Sequence, residues 1–232
     1  VPGTYPNTTS SLTALSNSVL LTVDPATADL IVTGPTVSFT GPDDLCIDAT
    51  PLTGLGGGMP TGGVYSGPGV TDDGNGMTYS FDPAAAAVGV HEITYTIMNG
   101  NGCMIADGDM VEVFALPVVP FAAIADLCVD AGVQPGLGGG TPTGGVYSGS
   151  GVTDDGNGMT YTFDPAVAGV GTHTLTYTLL DANGCANSAS DEVEVFAVPT
   201  AAFTAPADLC VDAGVQAGLG GGTPMGGGYS GP

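Results

Sequence analysis

The chain repeats itself every 82 residues, and that period constrains its fold more than any other feature. Cys46, Cys128 and Cys210 fall one period apart, as do Cys103 and Cys185. Phe39, Phe121 and Phe203 keep the same step, as do Tyr65, Tyr147 and Tyr229, and His91 and His173. Between 54–84 and 136–166 only three of 31 positions differ, Met59/Thr141, Pro68/Ser150 and Ser80/Thr162. Fidelity of this kind marks one structural module set in series. Two full units run over 36–117 and 118–199, and 200–232 holds the first part of a third. Residues 1–35 follow the pattern poorly and read as the tail of a preceding or divergent β domain.

Within a unit the local pattern is that of short strands. In Ile93-Thr-Tyr-Thr-Ile-Met98, Ile93, Tyr95 and Ile97 share one face while Thr94 and Thr96 share the other, and Leu175–Leu180 repeats the arrangement. Alternation with period two in β-branched and aromatic residues predicts a half-buried strand. Asn-Gly-Asn-Gly at 99–102 predicts a hairpin turn, and Met110–Ala115 alternates again, with Val111 and Val113 inward. No segment carries a helical period, and 82–89 is long enough for one turn only. Seven or so short strands per unit predict tandem immunoglobulin-like antiparallel β-sandwiches. Their short proline-bearing linkers, 115–121 and 197–203, predict beads on a stiff string.

Charge narrows the function. The 232 residues include 23 Asp and Glu, two His and no Lys or Arg, a formal charge of −23. Nucleic-acid binding needs Lys and Arg against phosphate, and attraction to anionic lipid needs them too; both are excluded. The longest apolar run, 113–125, is too short to span a membrane and holds two prolines. With no cationic side chain but His, the carboxylates look to solvent cations or to another molecule for neutralisation.

The cysteines sit 57 residues apart within each unit. That spacing pairs Cys46 with Cys103 and Cys128 with Cys185, one disulfide per repeat. Cys210 then finds its partner beyond residue 232 or in another chain. A loop of that length closed by a disulfide gains roughly 4 kcal/mol on the chain-entropy model, a useful sum for a unit with a modest core. Disulfides place a protein in an oxidising compartment. The competing reading is buried, reduced cysteine.

Leu-Cys, then Gly-Leu-Gly-Gly-Gly and Val-Tyr-Ser-Gly, Phe-Asp-Pro-Ala, Tyr-Thr, Asn-Gly-Cys and a closing Val-Glu-Val strand recur in order. In combination they resemble the immunoglobulin-like repeats of very large cell-surface and secreted proteins of Bacteroidota, including gliding-type adhesins. The resemblance covers 36–232. It implies an extracellular location, export by the type IX route, and a stalk, adhesive or filament role without enzymatic activity.

Three motifs invite a chemical reading. Asp72, Asp73 and Asn75, with Asp154, Asp155 and Asn157, offer the oxygens that calcium prefers. The spacing is too short for an EF-hand and no Glu closes the loop. Asp-Gly and Asn-Gly are also what a tight turn demands, and that is the favoured reading. No cofactor is required, and calcium is the candidate one. Further acidic groups fall at Asp43, Asp44 and Asp48, at Asp107, Asp109 and Glu112, and at Asp191 and Glu192. The glycine runs lack the Lys and helix of a phosphate cradle and predict tight turning or close strand approach. Tyr65 and Tyr147, read as exposed, offer a stacking platform for a glycan. His91 and His173 begin strands without convergent partners and predict a structural hydrogen bond.

The expectation is an extracellular structural segment forming a stalk or filament, with self-association or a longer chain as its partner. The alternative is an adhesin module for glycan or another cell surface, with or without calcium. Two near-identical units argue against a unique catalytic site.

Overall fold

The structure is a computed structural model that describes residues 20–23, 30–33, 36–98, 102 and 104–230. The predicted turn at 99–101, Cys103 and a glycosylation sequon at Asn7 lie outside those residues.

Strands β1 (Leu20–Val23) and β2 (Leu30–Thr33) pair antiparallel. The first repeat then forms β3 (Leu45–Cys46), β4 (Leu52–Leu55), β5 (Val64–Ser66), β6 (Val70–Asp72) and β7 (Tyr79–Phe81). A single turn of helix, α1 (Pro83–Ala86), precedes β8 (Gly89–Met98) and β9 (Met104–Phe114). Four strands in the order β3-β9-β8-β5 make one sheet, and β4-β7-β6 make the other. The second repeat restates this with β10 (Leu127–Cys128), β11 (Gln134–Leu137), β12 (Val146–Gly149), β13 (Val152–Asp154), β14 (Tyr161–Phe163), α2 (Pro165–Ala168), β15 (Gly171–Leu180) and β16 (Ala186–Phe196). Its sheets are β10-β16-β15-β12 and β11-β14-β13. Each repeat is thus a seven-stranded β-sandwich of the immunoglobulin-like kind, as its patterning predicts. In the third segment β17 (Ala202–Phe203) pairs with β18 (Gly222–Thr223).

The helix turns are short for a local reason. Asp82 Oδ1 accepts from the Ala84 and Ala85 amides, Pro83 starts the turn, and Ala87 ends it with a positive φ of 70°. Proline at the first helical position after an Asp cap is the expected opening of a helix. Asp164 and Pro165 do the same in the second repeat.

Each core is small and aromatic. Tyr65, Tyr79, Phe81, Ile93, Tyr95, Val111 and Val113 are buried in the first, joined by Phe39. Tyr147, Tyr161, Phe163, Leu175, Tyr177, Val193 and Val195 are their counterparts, joined by Val119. The ring centroids of Tyr65 and Tyr95 lie 4.6 Å apart, as do those of Tyr147 and Tyr177. Aromatic pairs at such separations contribute about 0.5–1.5 kcal/mol beyond the area they bury.

The long hairpin exceeds its sequence expectation. Strand β9 begins at Met104 rather than Met110, and it pairs with β8 without a break from Met98↔Met104 to Gly89↔Val113. The extension carries Asp107 and Asp109 onto the inward-facing side, which hydropathy alone does not reveal. β16 is built likewise on β15, from Leu180↔Ala186 to Gly171↔Val195. Strand β3 runs parallel to the far end of β9, with Cys46 level with Phe114, and Cys128 is level with Phe196.

By contact the chain forms two compact units. One runs up to Leu116 and includes Ala182–Cys185; the other holds Pro117–Asp181 and the residues from Ala186 onward.

Candidate functional site

The glycine-rich loop and the core tyrosines form one construction. Tyr95 packs its ring on Gly58, where an added Cβ would lie 2.5 Å from ring carbons. Its hydroxyl accepts from the Gly63 amide at 2.8 Å and donates to the Pro60 carbonyl at 2.7 Å. Tyr177 repeats both bonds, to Gly145 at 2.8 Å and Pro142 at 2.6 Å. The peptide bonds before Pro60, Pro142 and Pro224 are cis. The glycines therefore serve close approach, here of a ring to backbone, rather than a phosphate.

Tyr65 and Tyr147 require a correction. They are 3% and 4% exposed and lie in the cores, so they offer no stacking platform. The strand alternation that exposes Val64 and Ser66 turns Tyr65 inward. Its hydroxyl accepts from the Gly58 amide and donates to the Met77 carbonyl, each at 3.1 Å. Tyr147 does the same with Gly140 and Met159. Burial pushes both phenols above their ordinary value. The alternation of Val-Tyr-Ser was the available signal; two flanking glycines disguised a three-residue strand as a loop.

The Asp-Asp-Gly-Asn-Gly segment is organised as a turn. Asp72 Oδ2 accepts from the Tyr65 amide and Oδ1 from the Gly74 amide, both at 2.7 Å. Asn75 Oδ1 accepts from Met77 and Thr78, its amide donates to the Thr78 hydroxyl, and that hydroxyl donates to Asp73. Asp154, Asp155 and Asn157 reproduce this set. A cation here would compete with these bonds for the same oxygens. Among the described residues no three His, Cys, Asp or Glu side chains converge as a metal-holding group.

The remaining acidic residues show how a chain without cationic side chains satisfies its carboxylates: with backbone N–H groups. Asp107 and Asp109 each accept at 2.9 Å, from Phe39 and Gly41. Asp44 accepts from Glu112, and Asp126 from Glu194, both at 2.8 Å. Asp191 accepts from Ala123 at 3.0 Å and Glu192 at 2.9 Å, and those two amides hold its pKa below 3.8. Charge-assisted bonds of this kind are about twice as strong as neutral ones. They fasten the segments at 39–44 and 123–126 to the long hairpins. His91 and His173 are structural as expected, bonding the Ala87 and Gly169 carbonyls at 2.7 and 2.8 Å.

The cysteine pairing is the second correction. The disulfide joins Cys46 to Cys185, 139 residues away, with Cα atoms 5.6 Å apart. Cys128 and Cys210 are free and exposed. Register explains why the second repeat does not close on itself. Cys128 is level with Phe196, while Cys185 adjoins Ala186 at the other end of the same strand. Ten residues of strand at 3.3 Å each put the two poles ~33 Å apart, and a disulfide needs Cα atoms within about 7 Å. The same register separates Cys46 from Met104 in the first repeat.

The start of the third segment repeats the local latch. Gly222 donates to the Tyr229 hydroxyl at 2.8 Å, and the Phe203 and Tyr229 rings lie 5.8 Å apart, as do Phe39 and Tyr65. Tyr229 is exposed here.

No family model matches the chain, and no curated protein matches it. Among the solved structures similar to this chain are two. One is described as a Ca2+-stabilized adhesin that helps an Antarctic bacterium reach out and bind ice, at 16% identity and a TM-score of 0.39, covering 80% of this chain. This chain spans 57% of that one. The other comprises fibronectin(III)-like modules of Clostridium thermocellum CbhA, at 16% identity and a TM-score of 0.31, covering 70% of this chain and 94% of that one.

Proposed function

We propose that the chain is an extracellular structural repeat segment whose role is mechanical, a stalk or surface fibre built of β-sandwiches at 36–117 and 118–199. The observation that carries this reading is where the chemistry-bearing groups go. The Asp72 and Asp154 carboxylates, the Asn75 and Asn157 amide oxygens, the hydroxyls of Tyr65, Tyr95, Tyr147 and Tyr177, and both histidines are bonded to the repeat's own backbone. The adhesin alternative loses its stacking residues with the burial of Tyr65 and Tyr147. The disulfide Cys46–Cys185 suits an oxidising, extracellular setting.

Small-angle scattering tests the stalk. A single compact globule of this length would have a radius of gyration of about 17 Å. We expect a clearly larger value that rises as salt is lowered, because 23 acidic residues face no Lys or Arg. A radius near the globular value, indifferent to salt, would remove the reading. A glycan array that bound the chain would restore the adhesin alternative.

A further inference from the structure

We propose that the open edge of β9 in the first repeat, around Ala106 and Gly108, takes up an extended basic segment of a partner protein as an added β-strand. The proposal goes beyond the mechanical role and stands or falls without it.

The two repeats treat this edge differently. In an antiparallel ladder, both backbone groups of every second residue point away from the paired strand. On β9 these are the even-numbered residues, since Met110 and Glu112 donate to side chains off the edge rather than to β8: Met110 to Asp109 Oδ1 at 2.9 Å, Glu112 to Asp44 Oδ1 at 2.8 Å. The second repeat seals β16 further. Glu192 donates to Asp191 and Glu194 to Asp126 in the same way, and Ser188 donates to Asn187 Oδ1 at 2.8 Å. Asn187 is itself held, its amide donating to the Pro117 carbonyl at 2.9 Å. Ser190 is thereby bracketed by two sealed amides. One period earlier, Ile105 stands where Asn187 stands, and an isoleucine has no acceptor. Among the described residues nothing accepts from the outward amides of Ala106 and Gly108, and both residues are exposed. Strand β3 covers the edge only at Val113 and Phe114. Two successive open positions on an edge strand are a template for strand addition.

The surroundings select the occupant. Met98 and Met104 lie opposite each other and are 63% and 69% exposed, which favours an apolar side chain at that end. Gly108 leaves the outer face bare, and the Glu92 carboxylate leans over it: an added Cβ at Gly108 would lie 2.6 Å from Glu92 Oε1. A strand added ~4.8 Å from β9 could therefore reach across Gly108 with a Lys or Arg and meet Glu92. Asp107, Asp109 and Glu112 line the same strand. A second copy of this chain is the wrong partner, because it brings another −23 charges and no Lys or Arg. The complement is an extended segment of alternating basic and apolar residues.

The probe is a short synthetic peptide of alternating Lys and Val, added to the full chain while amide hydrogen exchange is followed residue by residue. Exchange at Ala106 and Gly108 should slow by about tenfold or more, since both amides gain a partner, and Ser188 and Ser190 should not change. The slowing should fade as salt is raised, and a Glu/Val peptide should produce none. Ala106→Pro deletes one outward N–H without touching the ladder to β8, and Ile105→Asn installs the second repeat's seal. Each should abolish the protection with the circular dichroism of the fold retained. Asn187→Ile should do the reverse and let the peptide protect Ser188. The proposal is overturned if the Lys/Val peptide protects neither Ala106 nor Gly108, if it protects both hairpins of the unaltered chain alike, or if protection survives Ala106→Pro. Protection at 106 and 108 that appears without peptide and grows with protein concentration would make the occupant a second copy, and overturns it too.

Discussion

Replacing Tyr177 by Phe removes one oxygen and tests the latch between the glycine loop and the core. In the folded repeat that oxygen accepts from Gly145 at 2.8 Å and donates to Pro142 at 2.6 Å. The Phe ring fills the same space, so packing is kept and only the two bonds are lost. The Gly145 amide is left buried without a partner, while the Pro142 carbonyl is only part-buried and regains some water. A stranded buried group costs about 1–3 kcal/mol, so the pair should cost about 2–4 kcal/mol, with the carbonyl at the low end. Tyr161 supplies the control. Its hydroxyl is fully buried and makes no well-formed hydrogen bond. Tyr161→Phe should therefore be neutral or stabilise by up to about 1 kcal/mol, since it deletes a desolvated polar atom that gains little in return. Hydrogen exchange of the β15 and β16 amides in each variant reads the opening free energy of the second repeat directly. The two substitutions should differ by several kcal/mol in opposite directions. Equal effects, or a Tyr177→Phe cost below about 0.5 kcal/mol, would refute the view that the hydroxyl, rather than the ring, holds the loop.

Glycine substitutions separate crowding from backbone strain. Gly58→Ala drives a Cβ into the Tyr95 ring and should cost about 1–3 kcal/mol or more by overpacking, whereas Gly74→Ala meets nothing within 4 Å and should cost only the strain of its +70° φ, about 1–2 kcal/mol; urea melts that rank them in reverse would contradict the packing. Alkaline titration tests the cores. Burial pushes Tyr79 and Tyr161 up to about 12 from 10.0, so the neutral phenols favour the fold. Their stabilising contribution is complete below pH 10 and is lost as pH rises toward 12. Phenolate absorbance should show Tyr79 and Tyr161 ionising together with unfolding in that window, and their ionisation near pH 10 with the fold intact would refute the burial of these rings.

Much of this molecule was legible in its sequence because sheet formation is read from short-range pattern. The alternation at 93–98 and 175–180, the single helical turn after Asp82 and Asp164, and the Asp-Gly and Asn-Gly turns depend on residues within a few positions of each other, and all stand where the pattern puts them. The structural role of His91 and His173 was legible for the same reason. Tyr65 was misread because β5 is three residues long, too short for alternation to declare itself between glycines. The backbone partners of the carboxylates were not legible for another reason. Composition excludes Lys and Arg as partners, but it carries no information on which backbone amides an edge segment leaves open. Asp107 and Asp109 meet Phe39 and Gly41 across 68 residues of chain.

The sequence by itself determined the period, the all-β character, the sandwich and the turns, since each follows from local propensity and apolar alternation repeated once per unit. Only the tertiary structure decided which cysteines meet. In a periodic chain, spacing defines a partner only to within a whole number of periods: 57 residues separate Cys46 from Cys103, and one further period of 82 gives the 139 that separate it from Cys185. Local pattern cannot choose between those two. The register of β3 on the far end of β9 does, because it sets Cys46 level with Phe114, the whole length of the strand away from Met104.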